Sequence, residues 1–269
     1  MKQFIIKYKF VIIIIIIIII VILLINLATI KESFINSQLL KNAMVIVEPR
    51  PHKLLESVIH NFDSIMPPSW DLYVFYGKSH YNFAHKATEK ILKRNKFLIQ
   101  LDTDNLDAKG YNKLLKQESF WNKVNAEHIL VFQTDSVLCK NSKYKIEEFM
   151  NYNYIGCPYN GHYIGKHEMG IWSSKHHFYG IGGLSYRKKS FMIYCIRNHP
   201  IDDDFPEDVF YSNCVAETKD KPENAMVLNK FCTQFSGLDY SFGVHKPERL
   251  VNKKEFSGYC PEIKILDGL

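Results

Sequence analysis

The chain has 269 residues, a formal net charge of +6, and 46% hydrophobic, 23% charged and 14% aromatic residues. That composition excludes a disordered body, and a modest charge carried by scattered lysines argues against the basic stripe of a nucleic-acid-binding surface. Without its apolar N-terminal segment the chain keeps about 235 residues, enough for one substantial α/β domain.

Residues 10–28 carry no charge and include nine consecutive isoleucines, Ile12 to Ile20. Such a run matches the ~20 residues a helix needs to cross a hydrocarbon core. A signal peptide has a shorter apolar core and a small-residue cleavage site, for which Asn26-Leu-Ala-Thr-Ile30 is poor. Lys2, Lys7 and Lys9 precede the run, so the positive-inside tendency leaves residues 1–9 cytoplasmic and the body on the other side. The expectation is a single-pass signal anchor over 10–28, a polar connector over 29–42 and one catalytic domain over 43–269, lumenal or extracytoplasmic.

Ala43-Met-Val-Ile-Val-Glu48 reads as a buried strand, closed by Pro49-Arg50-Pro51. Leu54, Leu55, Val58, Ile59 and Phe62 then recur at helical spacing. Trp70 to Tyr76 gives a second strand, residues 80–94 a helix, Phe97 to Leu101 a third strand, 108–123 a helix and His128 to Gln133 a fourth strand. Strands alternating with helices predict a mostly parallel sheet with helical crossovers. Met150 to Tyr159 is expected to be irregular or a short strand, and Asn160 to His177 a mobile loop in which Trp172 could stack on a sugar or pack as core. Helices are expected over 187–198, 206–217 and 222–235, a last strand over Tyr240 to Val244, and a loosely structured tail.

Four polar blocks on apolar segments carry the chemistry. Asp135 lies just past a very apolar strand, where open α/β sheets place their ligands. It can hold a divalent cation or a ribose hydroxyl, or it can simply cap a helix starting near Asn141. Gln133 cannot add a second negative ligand. Asp102-Thr-Asp104 is a competing acid-x-acid pattern at another strand end. Gly182 and Gly183, in Gly180-Ile-Gly-Gly183, are expected where an extended segment turns into a helix, either to let a ligand approach the backbone or as a plain tight turn. Pro206-Glu207-Asp208 puts two acids in a first helical turn, where the helix dipole favours the ionised form; one could act as a base, or both could serve helix stability. His245 and Lys246 follow the last strand, where imidazole can ligate a metal and an ammonium can neutralise a diphosphate, or the pair can be merely solvated.

The six cysteines include no Cys-x-x-Cys pair, which argues against a zinc knuckle or a thioredoxin-like site. Disulfides and buried free thiols both remain open, and no Asn-x-Ser/Thr acceptor occurs.

Eight stretches carry a resemblance to a known family: Val47-Glu-Pro-Arg50, Tyr111-Asn-Lys-Leu-Leu115, Phe120-Trp121, Phe132-Gln-Thr-Asp-Ser136, Tyr154-Ile-Gly-Cys-Pro158, Gly182-Gly-Leu-Ser185, Pro206-Glu-Asp-Val209 and Phe242-Gly-Val-His-Lys-Pro247. With these the chain resembles an uncharacterised glycosyltransferase-like domain family of large DNA viruses, plants, fungi and bacteria, over about Ala43 to Pro247. More distantly it is similar to the inverting GT-A transferases of the fringe and β1,3-galactosyltransferase group. The resemblance implies a GT-A-like three-layer α/β sandwich with a mostly parallel sheet, preceded by one transmembrane helix. It further implies a nucleotide-sugar donor, a glycan or glycoprotein acceptor, and a Mn²⁺ or Mg²⁺ cofactor held by Asp135 and His245. Asp208 or Glu207 becomes the base, with Gln133, Gly182, Gly183, Lys246 and Arg50 near the donor. Gln133-Thr-Asp135 departs from the relatives, which carry more than one acid there. A degenerate binding module is the competing expectation, and a membrane or virion structural protein the third.

Overall fold

The computed structural model describes residues 17–23, 41–158, 165–166, 177–203, 205–234, 240–250 and 252–267. The chain forms two units, residues 1–40 and 41–269. In the first, residues 17–23 form an exposed helix, α1. Among the described residues no helix is long and apolar enough to cross a membrane; the rest of the span expected over 10–28, with most of the connector, lies outside them.

The second unit is built on a six-stranded sheet ordered β3-β2-β1-β4-β9-β6. Strands β1 (Asn42–Glu48), β2 (Trp70–Tyr76), β3 (Lys96–Gln100) and β4 (His128–Phe132) run parallel. β9 (Ile181–Lys188) lies antiparallel to both β4 and β6 (Tyr154–Cys157). β1 is buried along all but its first residue, as a strand covered on both faces must be. Its side chains alternate between two apolar cores: Met44 and Ile46 meet Leu55, Val58, Ile59 and Phe62 of α2 (Leu55–Ile65), while Val45 and Val47 meet Leu115, Phe120 and Trp121. The architecture is mixed α/β around a mostly parallel sheet.

A small second sheet, β10-β11-β5, joins Cys232–Thr233, Gly243–His245 and Ser136–Leu138. Strand β5 follows β4 directly, where the sequence suggested the approach to a helix; Leu138 N and O are taken by the Asn61 amide at 2.7 and 3.0 Å. The last strand, β11, reaches His245, one residue beyond the expected end. Of the expected 160–177 loop, β7 (Gly165–Lys166) pairs with β8 (His177–Phe178), while Trp172 lies outside the described residues.

Several boundaries differ for identifiable reasons. Helix α3 (Tyr81–Thr88) stops short of 94 because Arg94 turns inward, bonding Asp63 and the carbonyls of Met66, Pro67 and Trp70. The expected helix over 108–123 divides into α4 (Ala108–Leu115) and α5 (Glu118–Trp121). The Leu115 carbonyl accepts instead from Trp121 Nε1 and Tyr211 Oη, and Lys116 bonds the Asp202 and Phe205 carbonyls. Gly182 and Gly183 lie inside β9 rather than at a strand-to-helix turn, and α6 (Lys189–Asn198) starts after the strand ends. Helices α7 (Glu207–Ala216) and α8 (Ala225–Phe231) follow, and the tail is ordered as α9 (Lys253–Tyr259) and a 3-10 turn over Pro261–Leu266.

All six cysteines pair, as Cys139–Cys260, Cys157–Cys232 and Cys195–Cys214. The first fastens the tail to the end of β5, which accounts for its order.

Candidate functional site

Between β1 and β4 the strand order reverses. In open α/β sheets, ligands enter the crevice beyond the carboxyl ends of the strands at such a switch point. A cavity of about 330 Å³ lies there, lined by Glu48, Arg50, Tyr111, Gln133, Asp135, Gly182, Gly183, Glu207, Asp208, His245 and Lys246 among others. Residues from β1, β9, α7 and β11 and from the segment just after β4, distant in sequence, therefore meet in one space. Every residue that the family resemblance assigns to the site lines it.

One wall is Asp135, His245 and Lys246. Asp135 Oδ1 stands 3.3 Å from His245 Nε2, and Oδ2 stands 3.9 Å from Lys246 Nζ. The Lys246 N–H donates to the Asp135 carbonyl at 2.9 Å, which ties the end of β4 to the end of β11. Lys246 has a left-handed backbone, φ 52°, a conformation costing a non-glycine residue about 1 kcal/mol or more. Burial pushes the Asp135 carboxyl up, but His245 beside it and the charge of Lys246 outweigh that and hold it below the usual carboxylate range. Asp135 Oδ1 and His245 Nε2 are both buried without a hydrogen-bond partner. On the far side of the imidazole, Nδ1 lies 2.9 Å from Gln234 Oε1.

The facing wall is the start of α7. Arg187, wholly buried on β9, grips both oxygens of Glu207, at 2.6 and 2.9 Å. The rings of Trp121, Tyr154 and Tyr211 surround the guanidinium. Burial alone would pull the guanidinium pKa down, but Glu207 outweighs that. Glu207, expected as one of two possible bases, is thus committed to an ion pair. Its neighbour Asp208 has no cationic partner among the described contacts: it accepts from the backbone N–H of Gly182 at 3.2 Å and of Val209 at 2.9 Å. Burial, and then the charge of Glu207, push its carboxyl from 3.8 up to about 6.

Glycine is needed where these walls meet β9. A Cβ on Gly182 would stand 2.0 Å from Glu207 Oε1, and one on Gly183 2.2 Å from His245 Nε2. The two glycines let the acid–arginine pair and the imidazole press against the strand.

At the mouth, Arg50 is about half exposed and its guanidinium forks onto the buried Glu48, at 2.8 and 2.9 Å. Gln133 lines the cavity between the β1 and β4 ends. Asp104, by contrast, lies outside the cavity lining and bonds the N–H and Oγ of Ser79 at 2.7 and 2.9 Å, a structural clamp between two loops. Sequence reasoning passed over Arg187, Gln234 and the role of Glu48. No local sequence signal marks the first: Arg187 follows Leu184-Ser-Tyr186, and only its burial on β9, which leaves an arginine no water, demands an acid.

The chain matches, over residues 97–245, the family described as "Protein of unknown function (DUF5672)", and this covers more than half of its length. The chain belongs to the DUF5672 family. All of the wall residues but Lys246, which follows it directly, fall within the matched segment, while Glu48 and Arg50 precede it. No curated protein matches the sequence. Among solved structures, S. aureus TarS 1-349 in complex with UDP-GlcNAc is similar at a TM-score of 0.44 and 11% identity, covering 65% of this chain and 53% of that one. The same TarS piece in complex with UDP has a TM-score of 0.48 at 11% identity, covering 84% of this chain and 65% of that chain. A putative glucose-1-phosphate thymidylyltransferase from Bacillus anthracis, in complex with a sucrose, has a TM-score of 0.42 at 10% identity over 66% and 84% of the two chains. The chain thus spans about half the length of the first of these.

Proposed function

We propose that this DUF5672 protein is a GT-A-like glycosyltransferase that moves a sugar from a nucleotide-diphosphate donor to a hydroxyl on a glycan or glycoprotein, with inversion. The observation that carries the reading is the pairing of two unlike carboxylates across one cavity at the sheet's switch point. Asp135, held ionised beside His245 and Lys246, suits the cationic and phosphate end. Asp208, raised to about 6, suits proton transfer near neutral pH.

The donor set fits a divalent cation. Asp135 Oδ1 and His245 Nε2 are buried, without a hydrogen-bond partner and 3.3 Å apart, and this carboxylate oxygen and imidazole nitrogen would hold a divalent cation between them and the donor. Among the described residues no third acid, histidine or cysteine completes the group, so water and donor phosphates are left to complete the sphere. When bound, Mn²⁺ or Mg²⁺ would supply positive charge to the leaving diphosphate. Lys246 adds its ammonium to the same end. Gly182 and Gly183 keep β9 low beneath the sugar. Asp208 takes the proton of the acceptor hydroxyl as that oxygen attacks the anomeric carbon, and the bond to the diphosphate breaks on the opposite side. Glu207 and Arg187 keep Asp208 in place at the helix start. Arg50, already paired with Glu48, sits at the donor entrance.

The three disulfides favour an oxidising compartment, which agrees with an N-terminal signal anchor and a lumenal or extracytoplasmic body. Gln133, neutral where a second acid would strengthen cation binding, favours a second reading: a degenerate fold that binds a glycan or nucleotide without turnover. One experiment separates the two. The purified full chain is incubated with a panel of nucleotide sugars and Mn²⁺, and donor hydrolysis and binding are both followed, for wild type and Asp208→Asn. Slow hydrolysis that vanishes in Asp208→Asn, with donor affinity kept, supports transfer. Binding without hydrolysis of any donor supports the module, and neither binding nor hydrolysis removes both.

A further inference from the structure

Glu48 takes no part in the transfer chemistry, yet it is a carboxylate at the end of β1, 4% exposed and on the lining of the cavity. A buried charge needs a partner. Among the described contacts its cation is Arg50, two residues on, whose side chain is 53% exposed. Water alone would solvate such a guanidinium, so the arginine does not require the acid. The acid instead fixes the arginine.

Glu48 Oε1 accepts from the Arg50 backbone N–H at 3.1 Å and from Nε at 2.8 Å, and Oε2 accepts from Nη2 at 2.9 Å. Pro49 and Pro51 on either side restrict the backbone as well, because proline fixes its own φ and confines the residue before it to extended conformations. Thr134 Oγ1 donates to Glu48 Oε2 at 3.5 Å, which ties the pair to the segment after β4 that carries Asp135. A guanidinium has five N–H groups in one plane, and two of them go to Glu48. The others, on Nη1 and the far side of Nη2, have no partner among the described contacts. They include two parallel N–H groups along one edge, the arrangement that receives a pair of acceptor oxygens.

We propose that Glu48 is a positioning residue that presets this Arg50 fork at the cavity mouth for a pair of acceptor oxygens on the nucleotide donor, of the phosphates or of the nucleoside. The inference rests on the transfer reading above for the identity of the ligand. An arginine side chain has large rotamer freedom, and ordering one on binding weakens affinity by up to about tenfold. Glu48 moves that loss from binding into folding.

The test is calorimetric titration of the full chain, with Mn²⁺ present, by UDP, GDP, ADP, CDP and pyrophosphate. Wild type is compared with Glu48→Gln, Glu48→Met, Arg50→Lys and the double variant Glu48→Gln with Arg50→Lys. Glu48→Gln sets an amide N–H against one arm of the guanidinium, and Arg50→Lys keeps the charge without the fork. The tightest wild-type ligand should bind each single variant about three- to tenfold more weakly. The double variant should stay within about twofold of Arg50→Lys, because Glu48 acts only through Arg50. Glu48→Met, which fills the space without a buried charge, carries the comparison where Glu48→Gln fails to fold. A loss that extends to pyrophosphate puts the fork on the phosphates, and a loss confined to the nucleotides puts it on the nucleoside; either supports the proposal. Wild-type affinity kept in folded Glu48 variants or in Arg50→Lys, or losses that add in the double variant, would overturn it and leave the transfer reading standing. Wild type that binds none of these ligands and no nucleotide sugar would remove the transfer reading and this inference together.

Discussion

Arg187→Met is the most demanding test of the site's construction. Arg187 is 0% exposed and holds both oxygens of Glu207, itself 3% exposed. Methionine fills much of the same space between Trp121, Tyr154 and Tyr211 but leaves the carboxylate buried without its cation. Removing one partner of a buried pair costs about 3–5 kcal/mol, between roughly a hundred- and a few-thousand-fold in the folding constant at about 1.4 kcal/mol per tenfold. Replacing both partners, as Arg187→Met with Glu207→Leu, should recover most of the loss, since no charge is then stranded. Urea unfolding with the disulfides intact gives both values, provided the denaturant slope is unchanged. The single variant carries a second signature. The charge of Arg187 lowers the Asp208 pKa while that of Glu207 raises it, so without Arg187 the carboxyl of Asp208 should titrate above its present value of about 6. A single variant within about 1 kcal/mol of wild type, or a double variant as unstable as the single, would refute a buried ion pair as the base of this wall.

Two further outcomes follow from the same geometry. Asp208 has a folded pKa of about 6 against an ordinary 3.8, so the folded form binds the proton more tightly than the unfolded. The stability this contributes is complete below about pH 4 and is lost as pH rises through about 6; Asp208→Asn should therefore melt with wild type near pH 3 and be more stable at pH 7, by at most about 3 kcal/mol, as read by thermal unfolding across pH. Gly183→Ala places a methyl 2.2 Å from His245 Nε2, so the imidazole must leave its place; Mn²⁺ affinity by spin resonance should fall about tenfold or more while the cooperative unfolding transition persists.

The parts of this molecule legible in the sequence are those encoded over a few consecutive residues. Val45, Ile46 and Val47 read as a buried strand because burial on both faces leaves no polar position, and Pro206-Glu-Asp208 reads as a helix start because the dipole and the missing proline N–H act locally. The rule that ligands gather beyond strand ends pointed to Asp135, and the family resemblance grouped Asp208 and His245 with it. What the sequence hid is pairing between distant segments. Gly182 and Gly183 read as a turn because nothing nearby reveals that Glu207 and His245 press against that strand from the far end of the chain. The tail read as loose because its order comes from Cys139, 121 residues away, and the helix over 108–123 read as continuous because the Leu115 carbonyl is claimed by the Trp121 side chain and, from the distant α7, by Tyr211.

The same distinction separates the two acids of Pro206-Glu-Asp208. By local rules they are equivalent, adjacent carboxylates in one first turn. They diverge because successive helical side chains point about 100° apart: one meets Arg187 on β9, and the other meets only backbone N–H groups at the cavity. Glu207 is taken up by its ion pair with Arg187, and burial, with the charge of Glu207 added to it, lifts the Asp208 carboxyl above its ordinary range. The pair thus works as a unit in which one carboxylate is spent on structure and tunes the other. Glu207→Gln should accordingly lower the Asp208 pKa from about 6 toward the ordinary range, an outcome that would not arise if burial alone set the value.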